Sequence, residues 1–131
     1  MRTDKLWLHT CFEVFIKSPG EENYYEFNFS PSTRWAMYRF DRYREGMPPE
    51  NFDQPPRIAL SQSERVLALE CSAGLAQCRD LARAAEYQLA VCAVIEDHDG
   101  YLSYWALAHP PGKPDFHHRD GFVLHLEGNA E

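Results

Sequence analysis

Three neighbouring stretches decide the reading of this chain: WLHTCFEVFI (7–16), YYEFNFS (24–30) and RWAMYRFD (34–41). Each alternates side chains at period two, the pattern of a β-strand with one face turned to a core. In the first, Leu8, Thr10, Phe12, Val14 and Ile16 share one face, and Trp7, His9, Cys11, Glu13 and Phe15 share the other. In the second, Tyr25, Phe27 and Phe29 oppose Tyr24, Glu26, Asn28 and Ser30. In the third, Ala36, Tyr38 and Phe40 oppose Trp35, Met37, Arg39 and Asp41. The turn formers of SPGEEN (18–23) and SPST (30–33) separate the runs, and Pro31 cannot donate to a sheet ladder.

Working outward, Arg42–Pro56 is a long polar loop with four prolines, of the kind that frames binding sites. Short strands follow at Arg57–Ser61 and Arg65–Ser72, and Ala73–Ala85 reads as a loop or one short helix. Tyr87–Glu96 is nearly continuous in apolar residues, the pattern of a central strand covered on both faces. Asp97–Gly100 (DHDG) is a hairpin turn leading into a partner strand, Leu102–His109. A second special loop, PPGKPDFHHRDG (110–121), precedes a last strand at Gly121–Glu127. Many short strands with almost no helix predict an antiparallel β-sandwich or barrel, and 131 residues fit one domain.

A net charge of −7 argues against nonspecific nucleic-acid binding, since phosphates need a Lys/Arg surface. Arg34, Arg39, Arg42 and Arg44 do cluster among aromatics, yet Asp41, Glu45 and Glu50 neutralise them. Cys11, Cys71, Cys78 and Cys92 lack CxxC or metal-ligand spacing and read as small buried hydrophobes. No signal-peptide pattern opens the chain and no apolar run is long enough to span a membrane, so a reducing, cytoplasmic setting is expected.

The blocks at 6–16 (LWLHTCFEVFI), 24–47, 92–118 and 119–124 (RDGFVL) resemble a bacterial group within the DOMON-like superfamily, related to the family 9 carbohydrate-binding modules. The motifs EFNFSPS-x-x-WA-x-YRF (26–40) and WAL-x-HP (105–110) carry the resemblance, which covers nearly the whole chain. It implies a β-sandwich whose members bind sugars or haem on one sheet, and it implies no established activity. Members of the group carry several strands ahead of the block corresponding to Leu6–Ile16, where only a handful of residues stand here. A sheet edge left bare in this way invites pairing with a second copy, hence a homodimer.

If the three opening strands are neighbours, His9, Glu13, Glu26, Asn28, Trp35 and Arg39 gather on one wet face, with Trp105 and His109 extending it. Trp offers a stacking platform, and Glu, Asn and Arg offer planar hydrogen-bonding groups, a combination suited to a sugar-like ligand. The bland counterpart is a cross-strand ladder in which Arg39 merely pairs with Glu13 or Glu26. Two carboxylates also invite a glycosidase reading. Paired Glu residues on facing strands are common, however, and no nucleophile elbow, phosphate loop or dinucleotide fingerprint occurs, so the expectation is a domain without catalysis or cofactor. Met37 with His9 is the pair a haem would use, in a setting too charged for one. His117 and His118 beside Asp115 and Asp120 look metal-like, but neighbours on an extended chain point apart, and a structural loop with one His capping backbone groups fits better. The alternatives to sugar binding are a module that completes its sheet with a partner, and a haem domain.

Overall fold

The computed structural model describes residues 2–46, 54–78, 81 and 85–128. The fold is all-β and antiparallel. Among the described residues eight strands form, β1 (Cys11–Lys17), β2 (Tyr24–Phe29), β3 (Trp35–Phe40), β4 (Arg57–Gln62), β5 (Leu67–Ser72), β6 (Glu86–Glu96), β7 (Leu102–Ala106) and β8 (Leu124–Glu127). Six of them make one sheet in the order β3-β2-β1-β6-β7, with β8 pairing β6 on the same side as β7. The hairpin of β4 and β5 forms a second sheet.

The predicted turns close as their residues require. Gly20 takes φ +83° between β1 and β2, and Ser30 receives the Thr33 N–H on its carbonyl and the Ser32 N–H on its hydroxyl. Gly100 takes φ +87° in the DHDG turn, where the Asp97 carboxylate accepts the Asp99 and Tyr101 N–H groups. Of Ala73–Ala85, a 3₁₀ turn at Leu75–Gln77 is described. Much of the rest of that segment, and the middle of the proline-rich loop with Glu50, lies outside the described residues.

The large sheet is buried on both faces where β1, β2 and β3 run. β2 is buried at every position. On one face, Ile16, Tyr25, Phe27, Phe29, Trp35 and Met37 pack under the β4–β5 hairpin, which contributes Ile58 and Leu69. On the other, Phe15, Tyr24, Ala36, Tyr38, Phe40, Ala90 and Cys92 pack under Leu6 and Trp7 of the N-terminal segment and under Phe116 and Phe122 of the 110–122 loop. Each fully buried aromatic side chain contributes roughly 1.5–3 kcal/mol. The N-terminal segment is tied down by Thr3 N–H donating to the Trp35 carbonyl at 2.8 Å, by Tyr38 donating to Asp4, and by Trp7 lying edge-on to Tyr38.

This double coverage corrects three expectations. Tyr87–Glu96 is central in its sheet and the face of Ala90, Cys92 and Val94 is sealed, but the other face is covered only at its start, where Tyr87 is buried, and opens at Val91, which is 37% exposed. Cys71 is exposed, whereas Cys11, Cys78 and Cys92 are buried, and all four are free thiols. The third and most consequential concerns the phase of β3. Its register pairs Asn28 with Ala36 and Glu26 with Tyr38, so Ala36, Tyr38 and Phe40 lie on the face of Glu13, Glu26 and Asn28. Trp35, Met37 and Arg39 lie on the opposite face, with Phe29, Phe27 and Tyr25.

Candidate functional site

Glu13 and Glu26 project from adjacent strands onto the face that carries Phe15, Tyr24 and Tyr38. Glu13 stands opposite Asn28 and Glu26 opposite Phe15, which makes the two carboxyls diagonal neighbours. They are not wet. Glu13 is 4% exposed, Glu26 2% and Asn28 0%. Burial and the neighbouring Glu26 push the Glu13 carboxyl well above its ordinary value, and the two carboxyls hydrogen-bond each other. Glu26 is also raised by burial, restrained by its bonds to Glu13 and Asn28 and by the charge of Arg44. Such a pair holds a shared proton, because two desolvated like charges in contact cannot both ionise freely. The Oε1 atom of Glu26 has no hydrogen-bond partner, and neither amide atom of Asn28 makes a fully formed bond.

Above the pair sits His117, brought in by the 110–122 loop. Its ring packs edge-on against Phe15 and Phe40, each at 4.9 Å between centroids. Nδ1 hydrogen-bonds the Tyr24 hydroxyl at 2.8 Å, and Nε2 stands 3.6 Å from Glu26 Oε1. Burial, reinforced by Arg44, lowers its pKa to about 4, so the imidazole is neutral at pH 7. Burial lifts Tyr24 to about 12. The Tyr24 oxygen accepts the Arg44 backbone N–H at 3.0 Å. Assigning the imidazole proton to Nε2 lets Tyr24 donate to Nδ1 and aims an N–H at Glu26.

The loop is clamped in place by Asp115. Its carboxylate accepts from the Tyr43 hydroxyl, from Arg44 at 2.8 Å and from the His117 N–H at 3.2 Å. These bonds hold the Asp115 carboxyl below its usual range against the effect of burial. His118 points away and caps the following 3₁₀ turn by accepting the Asp120 N–H. That is the structural role expected of one member of the pair, and no group of three or more His, Cys, Asp or Glu side chains with metal-binding geometry occurs among the described residues.

Together these elements enclose a pocket of about 330 Å³. Glu13, Glu26 and His117 line its inner end. Trp7, Val94, Tyr104 and Phe116 are among its apolar walls, and Arg44 lines it as well. A more open groove of about 810 Å³ on the far side of His117 contains neither buried carboxyl. Perturbed titratable groups inside an apolar recess make the smaller pocket the candidate site.

Of the residues proposed from sequence, Glu13, Glu26 and Asn28 are brought together, and beneath a cover rather than on an open face. Trp35 and Arg39 are removed to the other side of the sheet, where Trp35 is 5% exposed and Arg39 pairs with Asp41. Trp105 also faces that side, opposite Ala93, and is 63% exposed. His9 is exposed and hydrogen-bonds Glu96. His109 is exposed and stacks on the pocket residue Phe116. The single wet surface of eight residues therefore does not exist. The haem pair does not meet either: Met37 is buried in the core under the β4–β5 hairpin, receiving the Cys78 thiol at 3.8 Å, whereas His9 is exposed beside Glu96. Of the arginine group, Arg39 pairs with Asp41 and Arg42 with Glu45 as expected, and Arg44 is turned to Asp115.

Trp7, Tyr104, Phe116 and His117 are the site residues that residue patterns missed. The PDFHH run drew notice for metal spacing, but its contact with Glu26 lies 91 positions away in sequence and is visible only once the loop folds over β1 and β2. No protein-family model, curated protein or solved structure matches this chain. No helix among the described residues is long and apolar enough to cross a membrane.

Proposed function

We infer that this domain binds a small polar molecule of the carbohydrate type, without catalysis, in the pocket above Glu13 and Glu26. The observation that carries the reading is a buried Glu26, 2% exposed, that lines an aromatic-walled recess and whose Oε1 makes no hydrogen bond, with His117 Nε2 3.6 Å away. Apolar walls with a few convergent polar groups are the usual composition of a small-ligand site. Trp7 and Tyr104 supply stacking area, and the two carboxyls with His117 supply orientation. The resemblance to DOMON-like domains, some of which bind sugars, points the same way. Thermal-shift screening against mono- and disaccharides tests it: stabilisation by a hit should vanish in Trp7→Ala and Glu26→Gln and persist in Trp35→Phe. Hits that ignore both pocket substitutions would place recognition elsewhere.

A second reading, assembly with another copy of this chain, draws on the uncovered part of the other face. There Val91, Trp105, Leu124 and Leu126 share one side of β6, β7 and β8 and are 37–63% exposed. Sedimentation velocity separates the two readings, since a dimer made through this face is lost in Trp105→Glu while ligand stabilisation is retained.

A further inference from the structure

We propose that the occupant of this pocket carries a primary ammonium group, as an amino sugar or a similarly sized amine does, and seats it between the carboxyls of Glu13 and Glu26. The proposal rests on the pocket being the binding site and adds the charge of its ligand.

Counting donors and acceptors leads there. The carboxyls of Glu13 and Glu26 line the pocket with few donors turned to them: the Asn28 amide, which makes no fully formed bond, and the His117 N–H, 3.6 Å from Glu26 Oε1. The two carboxyls satisfy each other only by sharing a proton, and Glu26 Oε1 stays unpartnered in a side chain that is 3% exposed. A ligand must therefore bring donors, and an ammonium brings three with no acceptor to clash. Charge points the same way. No cation acts on Glu13, whose neighbours raise it without exception. The one cation acting on Glu26 is Arg44, which is half exposed and already bonded to Asp115. His117 is neutral near pH 7 and supplies none. Trp7, Tyr104 and Phe116 line the same space, and an ammonium over the face of any of these rings gains a cation–π contact. Seating the ammonium releases the shared proton to solvent, and no other bond changes.

The charged and titratable groups around the pair come from every element packed on it. They are Cys11 of β1, Tyr24 of β2, Tyr38 of β3, Cys92 of β6, His117 and Asp115 of the loop, and Arg44. Cys11, Cys92, Tyr24 and Tyr38 are all raised by burial and uncharged near neutrality. The proton exchanged on binding therefore comes from the carboxyl pair.

Glucosamine and glucose, compared at pH 6.5 with ¹³C-carboxyl NMR on the wild-type protein, test this. The expected result is that glucosamine binds about tenfold or more tightly than glucose, a preference of the size charge-assisted hydrogen bonds give. It should also shift the Glu13 and Glu26 carboxyl signals, and isothermal titration should detect proton release through different heats in phosphate and Bis-Tris, a tertiary amine. Glu13→Gln and Glu26→Gln should each erase the preference. Equal binding of the two sugars overturns the ammonium proposal and leaves the pocket reading intact. Binding of cyclohexylamine but of neither sugar, with the same carboxyl shifts, upholds the ammonium and overturns the carbohydrate. If none of the three probes moves the carboxyl signals, both fall.

Discussion

The Tyr24 hydroxyl is shared by three parts of the chain: its own strand, the Arg44 N–H and the His117 imidazole. Removing it leaves a backbone donor and a buried ring nitrogen without their partner, a cost of about 1–3 kcal/mol. Tyr24→Phe keeps the ring that stacks on Phe40 at 4.9 Å, so urea unfolding should report that loss with the core otherwise intact. Imidazole ¹⁵N shifts should move from a fixed Nε2–H tautomer to a mixture. An unchanged tautomer would show that Tyr24 does not orient His117. At this scale the sequence was legible in part. Glu13, Glu26 and Asn28 were correctly grouped, because period two on two adjacent strands fixes their common face. Their burial was not legible, since a polar residue at period two reads as solvent-facing unless the cover is known. That cover comes from Trp7 and from Phe116 and His117, whose positions no local pattern specifies.

Strand β3 shows why an element can be found and still be turned the wrong way. Its boundaries follow from RWAMYRF, but both of its faces are apolar and five of its six positions are buried. Alternation then carries no phase, and one residue of register decides which set faces Glu26. The SPST turn sets that register through the Ser30 N–H bond to the Arg34 carbonyl at 2.9 Å, with Thr33 at φ 66°. β6 was misread for the converse reason: an apolar run marks a strand that is central in its sheet, yet the cover over Val91 is absent among the described residues. The 110–122 loop, by contrast, is held by a few side chains, with Phe116, His117 and Phe122 packed on the sheet and Asp115 as its polar clamp. Asp115 fastens it to Tyr43 and Arg44, and through its bond to the His117 N–H it fixes the ring over the carboxyls. Asp115→Ala should cost about 1 kcal/mol in global stability, the scale of a partly exposed ion pair with added hydrogen bonds. It should lower amide-exchange protection at His117 far more than in β1 or β6. Uniform loss of protection across the sheet would mean that the clamp belongs to the core rather than to the loop.

For the molecule as a whole, the pocket's buried groups shape stability against pH in opposite directions. His117 has a folded pKa of about 4 against an ordinary 6.5, so between these values the unfolded chain binds the extra proton and stability rises with pH. Glu13 and Glu26 have folded values raised above 4.5, so above that pH the folded protein holds the extra proton and stability falls as pH rises. Each proton contributes a slope of at most about 1.4 kcal/mol per pH unit. Between pH 4.5 and 6.5 the two trends oppose each other, and above 6.5 only the carboxyl pair remains. Below about pH 4 the lowered carboxyls of Asp4 and Asp115 become protonated and their contribution is lost as well. Stability should therefore peak in mildly acidic buffer, and urea midpoints should decline from pH 6.5 to 8. Net charge grows more negative over the same interval and would produce a decline of its own. Glu13→Gln separates the causes, because it removes one charge of the −7 but all of the proton sharing. The variant should rise in stability up to pH 6.5 and then decline to pH 8 less steeply than wild type, since Glu26 keeps the effect of its own burial. A decline as steep in Glu13→Gln as in wild type would show that proton sharing with Glu13 has no part in the effect.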